Sequence, residues 1–466
     1  MAVLRVLQKY RNEYLASIAA TLSLFMVVTT TGWASPALAK LTAEDSPIPI
    51  TPTQGSWFVA LESVGAFLGP LLAAYCADRI GRKWTLMATF APVTVGWILV
   101  GTGDSFGYLY ASRTLFGLSY GIAYSTVSVY LNEVASDSVR GSIGTLNSIL
   151  GRLGHLTIYG VGPYLEFRTM AWVFLVAPFV FVGCFVWMPD TPYFHLGRNN
   201  NSKAESSLRW LRREKEVSKE LAVMQASLDF SKSQTGSFRE LFSAPYRKQM
   251  SILIILITAA ELSGISVVRS YAQKIFENIA IDLKPEEMSI LLGVVQLLTA
   301  LVPMFLVERM GRRPLLLIST VGTCIGTLLC ALYFAFDANG ESKALGYVAF
   351  IAFLLIFITY GLGLSSISLS ILGEIFPKHL RAYSNATFIM MGAILTFSVT
   401  RLFQVMVDSV GTYLPFAMYT VCQAINTVLI YFNVLETKGK SFGEIQRMFD
   451  AARKEKSEKG EVKGEC

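Results

Sequence analysis

Arg152 and His155 stand three residues apart inside a long apolar run, a spacing that puts both side chains on one face of a helix. A second apolar run carries Glu261 near its middle and Arg269 toward its far end. Ionisable groups are expensive to hold in hydrocarbon, so they turn toward a cavity or a partner. Two chemistries fit this pattern. In one, Arg152 and His155 bind an anionic or strongly polar solute. In the other, Glu261 and Arg152 close an internal ion pair that neutralises itself and blocks or reshapes the space. Arg269 is expected to snorkel to the surface, and Arg401, near the end of another run, reads as an interface anchor. Glu62 reads as a carboxylate hydrogen-bonded within a bundle, with service as a proton site the alternative. Nothing resembles a phosphate loop, a catalytic triad or a metal-ligand spacing, so ATP-driven transport, hydrolysis and cofactor chemistry have no support. No enzyme, cofactor or metal is expected. The six cysteines, including the terminal Cys466, lie mostly inside apolar runs with no CxxC spacing, and free thiols are expected.

The elements that must position these groups follow from composition. Of 466 residues, 53% are hydrophobic and 16% charged, with mean hydropathy +0.48, whereas a soluble domain carries roughly 25% charged residues. The apolar residues fall in twelve runs, at roughly 13–35, 54–76, 84–102, 107–131, 141–165, 170–188, 249–272, 288–307, 314–336, 345–372, 382–406 and 412–434. Each is long enough for a hydrocarbon core of about 30 Å. The fold expected is an all-α polytopic membrane protein with twelve transmembrane helices. Between the sixth and seventh runs, residues 189–248 hold 11 Lys or Arg and 7 Asp or Glu, with apolar residues at helical spacing around Leu208, Leu211, Leu221 and Met224. This is a linker of short surface helices. Residues 1–12 and 435–466 form the N-terminus and tail, and the stretch after Asp450 reads as disordered.

An even number of spans places both termini on one side. Most of the 40 Lys and Arg lie on that side, which makes it cytosolic. The net charge of +7 flanks the apolar runs and is not interleaved with stacking aromatics, so no nucleic-acid partner is expected. The partners expected are the lipid bilayer and a small solute. Neither His195 nor His379, both in loops, is assigned a role. The sequons at Asn200 and Asn385 fall in the cytosolic linker and in a span, so neither should be modified.

The chain is internally duplicated. Asp78 to Lys83 reads DRIGRK after the second run, and Glu308 to Arg313 reads ERMGRR after the eighth. Glu133 precedes Arg140 by seven residues after the fourth run, as Glu374 precedes Arg381 after the tenth. MPDTP at 188–192 matches LETKG at 435–439, which contains Glu436. Three pairs in one order imply two six-helix halves, 13–188 and 249–434. Both halves begin on the same side, so they are parallel repeats about an axis normal to the membrane.

DRIGRK, ERMGRR, PDTPYFHLG, GEIFPKHLR and ETKGKSFGEI together resemble the sugar porter family of the major facilitator superfamily, over nearly the whole chain. ETKGKSF and GWASPAL are similar to the insect-type branch that includes facilitated trehalose and glucose carriers. The resemblance implies a latch in which Asp78, Arg79, Arg82, Lys83, Glu133, Arg140, Glu308, Arg309, Arg312, Arg313, Glu374, Arg381 and Glu436 tie the two halves together while the cavity faces outward. Gly81 and Gly311 permit tight turns there. Arg113, in the family's RxxxG, belongs to the same gating set. Plain retention of basic loops in the cytosol is the alternative reading of these motifs.

The resemblance also implies a site, and there the chain departs from the pattern. The family's two glutamines and asparagine in the seventh span are Ala260, Glu261 and Ser266 here. The glutamine of the fifth span is Ser148, the tryptophan of the tenth is Leu369, and the asparagine of the eleventh is Gly392. By position, the candidate substrate contacts are Ser148, Arg152, His155, Glu261, Ser263, Ser266, Tyr271, Gln296, Ser365, Ser366 and Asn385. The first span has Thr29, Thr30 and Thr31 where proton-coupled members carry an aspartate, so no proton coupling is expected at that place. The expectation is a facilitative carrier of a small carbohydrate, trehalose or a hexose, in the plasma membrane. A carrier of a non-sugar, anionic solute and a non-transporting nutrient sensor are the alternatives.

Overall fold

The computed structural model describes residues 8–233, 237–337, 342–377, 379–440 and 443–449, apart from the side chains of 230–233, 304, 305 and 308. The Glu308 side chain, the stretch after Asp450 and Cys466 therefore lie outside the described residues. All regular structure among the described residues is helical. Among the described residues, nine stretches are long and apolar enough to cross a membrane: Arg11–Leu41, Pro52–Ile80, Arg82–Thr102, Phe167–Phe185, Ala244–Phe276, Arg312–Phe336, Lys343–Ile375, Arg381–Ser409 and Tyr413–Asn433. Large apolar side chains stand bare on their outer faces, such as Val176, Phe179, Ile351 and Val421. Lipid is the solvent such a surface requires. The protein is an all-α, multi-pass membrane protein.

Three further helical stretches occupy the remaining expected runs: Phe106–Val134, Arg140–Val161, and Pro285–Thr299 continued by Val302–Met310. Arg113, Glu133, Arg140, Arg152, Glu286 and Glu287 dilute their hydropathy. Each is nevertheless packed among its neighbours, the Phe106–Val134 helix most closely against Pro52–Ile80. Glycines permit that approach: a Cβ on Gly117 would lie 1.8 Å from the Glu62 carbonyl oxygen, and one on Gly65 would lie 2.0 Å from that of Thr114. Small residues at a helix crossing let backbones pack directly. The far end of Pro52–Ile80 starts on a capping box, with the Gln54 N–H donating to Thr51 Oγ1 at 3.2 Å and the Thr51 N–H to Gln54 Oε1 at 2.9 Å.

Each half has its own aromatic centre. Trp33 meets Phe58 at 5.2 Å, Trp97 at 5.4 Å and Phe116 at 5.8 Å between ring centroids. In the second half Phe353 meets Phe276 at 5.4 Å and Phe416 at 5.6 Å, edge to face. The linker folds as Pro192–Gly197, Asn201–Arg212 and Ser218–Ser233 around Leu196, Ala204, Leu208, Val217 and Met224. Arg212 fastens it to the first helix through Glu13 at 2.9 Å and pairs within the linker with Glu220 at 2.8 Å.

The duplication seen in the sequence is repeated in three dimensions. Gly81 and Gly311 take φ values of +94° and +93°, and a Cβ on either would collide with a carboxylate, Asp190 or Glu436. Those acids come from the matched MPDTP and LETKG segments. Asp190 Oδ1 accepts from the Lys83 N–H at 3.2 Å, while Glu436 accepts from the Arg312 and Arg313 N–H groups at 3.0 Å each. A carboxylate at a helix N-terminus satisfies donors that the helix itself leaves free.

Candidate functional site

A cavity of about 400 Å³ lies between the halves, lined from both. Two helix breaks help to build it. Gly264, at φ +77°, separates Arg247–Glu261 from Ile265–Phe276, and Gly363 separates Lys343–Leu362 from Leu364–Ile375. Non-helical backbone at this depth is tolerated where it is buried in protein or borders a water-filled space. The breaks bring Glu261 and Ser266 to the wall from one rod, and Gly361, Leu364, Ser365 and Ser366 from the other.

Eight of the eleven candidate contacts line this cavity: Ser148, Arg152, His155, Glu261, Ser266, Ser365, Ser366 and Asn385. Three do not. Ser263 is fully buried and spends its hydroxyl on the Ala260 carbonyl at 2.6 Å. Tyr271 packs against Phe403, with 5.0 Å between ring centroids. Gln296 is buried with both amide atoms unpartnered. All three are buried outside the cavity lining. The wall also holds residues that the sequence reading did not single out: Tyr120, Tyr124, Ser128, Asn147, Ser270, Thr299, Tyr360 and Thr396. Tyr120 and Tyr124 had a legible signal, an i, i+4 aromatic pair whose rings now sit 4.3 Å apart.

The charges sort differently from expectation. Glu261 makes no ion pair with Arg152. It accepts instead from Ser266 at 2.9 Å and Thr396 at 2.6 Å. Arg152 reaches across the cavity and donates to Ser365 Oγ of the other half. Arg269 does not snorkel outward: it lines the cavity, lies 5.5 Å from the Tyr360 ring centroid, and has a buried, unpartnered Nε. His155 is 5% exposed, and among the described residues neither ring nitrogen has a hydrogen-bond partner. Glu62 is bound within the bundle, accepting from Thr31 at 2.6 Å and pairing with fully buried Arg113. Arg113 also donates to the Phe58 and Thr30 carbonyls at 3.0 and 2.9 Å. It is thus an internal brace of the first half, remote from the loop motifs with which it was grouped.

Among the described residues, the loop-motif ion pairs lie within each half. Arg82 pairs with Glu133 at 3.2 Å and Asp78 at 3.8 Å, all in the first half. Arg312 pairs with Glu374 at 3.1 Å, both in the second. Lys83 donates to the Val186 carbonyl at 2.7 Å, and Arg381 to the Phe376 carbonyl at 3.2 Å. Arg79 lies over Tyr75, Arg313 over Tyr431, and Arg140 pairs with exposed Asp137. The Arg309 carbonyl accepts from Lys438 at 2.7 Å. Among the described residues, hydrogen bonds that cross between the halves occur at the cavity or beyond it, toward the end opposite the linker. They are Arg152 to Ser365, Tyr159 Oη to the Arg269 carbonyl at 2.9 Å, the Gln273 N–H to Ser35 Oγ at 3.1 Å, and Arg401 to Ser56. Arg401, expected to anchor at the membrane–water interface, instead reaches across the seam and lies 4.5 Å from the Trp57 ring centroid of the other half. The seam is sealed at the far end, while Gly141 and Gly373 at the linker end face open space.

A family model described as "Sugar (and other) transporter" matches residues 8–449. The chain belongs to this family. The transporter is similar to the facilitated trehalose transporter Tret1 of Apis mellifera ligustica, 26% identical over 445 residues, covering 95% of this chain and 89% of that one. It is 28% identical over 441 residues to Tret1 of Anopheles gambiae, covering 94% of this chain but only 56% of that longer relative. Its fold matches the inward-open xylose transporter XylE from E. coli with a TM-score of 0.78 at 20% identity, covering 94% of this chain and 99% of that one. The transporter therefore has the fold of that two-bundle carrier and belongs to a family that moves solutes rather than transforming them.

Proposed function

We propose that the protein is a facilitative carrier that moves a small sugar, trehalose or a hexose, by alternating access through the cavity between its halves. The observation that carries this reading is the cavity wall. It combines hydroxyls from Ser148, Ser266, Ser365 and Ser366, the Asn385 amide, and the faces of Tyr120, Tyr124 and Tyr360. Many hydrogen-bond partners replace a sugar's water, and aromatic faces pack its C–H surface. The family and the names of the insect relatives support a sugar over a non-sugar anion, and transport over sensing.

The reading extends to topology. Twelve spans in two six-helix halves, residues 13–188 and 249–434, are supported by nine strongly apolar stretches together with three more polar ones that contribute cavity walls. Both termini and the basic linker face the cytosol of a plasma membrane, following the bias of Lys and Arg. The sealed end is then external, and this is an inward-facing state. Glu62 lines the cavity while paired with Arg113 inside the first half, so a pH gradient is the test of whether this carboxylate couples transport to protons. Purified protein in liposomes should take up labelled trehalose or glucose saturably, at the same rate with and without an imposed pH gradient. Uptake that requires the gradient would replace facilitated diffusion with symport.

A further inference from the structure

We infer that the cargo is an acidic sugar, a hexuronate whose carboxylate binds between Arg152 and Arg269 while its hydroxyls meet the serine and tyrosine wall. This rests on the sugar-carrier reading and narrows it. Arg152 and Arg269 both line the cavity, one from each half. Among the described residues neither makes an ion pair. Arg152 has only the Ser365 hydroxyl as a side-chain partner. Arg269 rests against Tyr360 with its Nε buried and unpartnered. His155 lies on the same wall, almost wholly buried, with two unpartnered ring nitrogens.

The charge balance indicates the class of ligand. Glu62 and Arg113 cancel each other. Glu261 supplies one negative charge, satisfied by Ser266 and Thr396, against the two arginines. One positive charge is left without compensation at a depth where isolated charge is costly. A monoanion removes that cost, whereas a sugar phosphate, with nearly two charges, would overshoot. A carboxylate also matches the guanidinium fork. A neutral hexose leaves both arginines and His155 unanswered, and a small organic acid without hydroxyls wastes the serines and tyrosines.

The test uses the full-length protein in liposomes with labelled glucuronate, glucose and trehalose, under a potassium diffusion potential of either sign. Glucuronate is expected to enter saturably, to accumulate when the interior is positive, and to compete with neutral sugar uptake. Glucose is expected to equilibrate without responding to the potential. Arg269→Gln and Arg152→Gln should each lower the glucuronate-to-glucose ratio of kcat/KM by about tenfold or more, and Arg269→Lys should restore part of the loss. Saturable glucose or trehalose uptake with no entry or competition by glucuronate overturns this inference and leaves the sugar carrier standing. No uptake of any of the three by protein that stays monodisperse overturns both.

Discussion

At the scale of single residues, the site is decided by which charges find partners. Arg113 has no exposed surface, and Glu62 is its one ion-pair partner among the described residues. Glu62→Gln strands that guanidinium, an injury worth about 3–5 kcal/mol. Thermal melts of the purified variant should show a large loss, partly recovered in the double variant with Arg113→Gln. A wild-type melting temperature in the single variant would mean that the pair is dispensable. Glu261 is the opposite case, since its partners are hydroxyls and its charge opposes Arg152 and Arg269, which make no ion pair among the described residues. Glu261→Gln keeps the acceptor for Ser266 and Thr396 and removes the charge. The KM for glucuronate should fall about threefold to tenfold, read from uptake at varied concentration, and an unchanged KM would show that Glu261 does not weigh on the cargo.

At the scale of elements, the two halves use one device in two electrostatic settings. Burial pushes the Asp190 carboxyl up, and N–H donors from Thr191 and Lys83 offset this only in part. Burial also works against Glu436, but donors from Lys438, Arg312, Arg313 and Thr437 outweigh it and bring the carboxyl below its ordinary value of 4.5. A carboxyl lowered by folding stabilises above its unfolded value and ceases to do so as pH falls through its folded value. Melting curves should therefore show an acid-side loss of stability, setting in near and below 4.5, that Glu436→Gln abolishes. An identical pH dependence in the variant would remove Glu436 as its source. Motif matching was enough to pair these segments, because a cap needs an acid and a turn glycine at set places in each repeat. The long helical stretches were legible too, since hydrophobic length is a one-dimensional property.

At the scale of the whole molecule, the hydrogen bonds that cross between the halves among the described residues lie at the sealed end or at the cavity. Arg401 joins Ser56 and packs on Trp57 across that seam. Removing it takes away a charge-assisted hydrogen bond and a cation–π contact, so the balance should shift toward the outward-open state. In an Arg401→Ala variant with its native cysteines replaced, a reporter at Ser63→Cys in the cavity wall should react about fivefold or more faster with an impermeant thiol reagent from outside. An unchanged rate would place the outer gate elsewhere. The sequence by itself determined the helical spans, the duplication, the family and the presence of ionisable groups in apolar runs, because hydropathy, repeat order and local spacing are written along the chain. Only the tertiary structure decided that Glu62 answers Arg113, that Arg269 lines the cavity, that Tyr271 and Gln296 are buried outside it, and that the described loop pairs bind within each half. Those outcomes depend on helix rotation and on which helices become neighbours, and residues far apart in sequence settle both through packing.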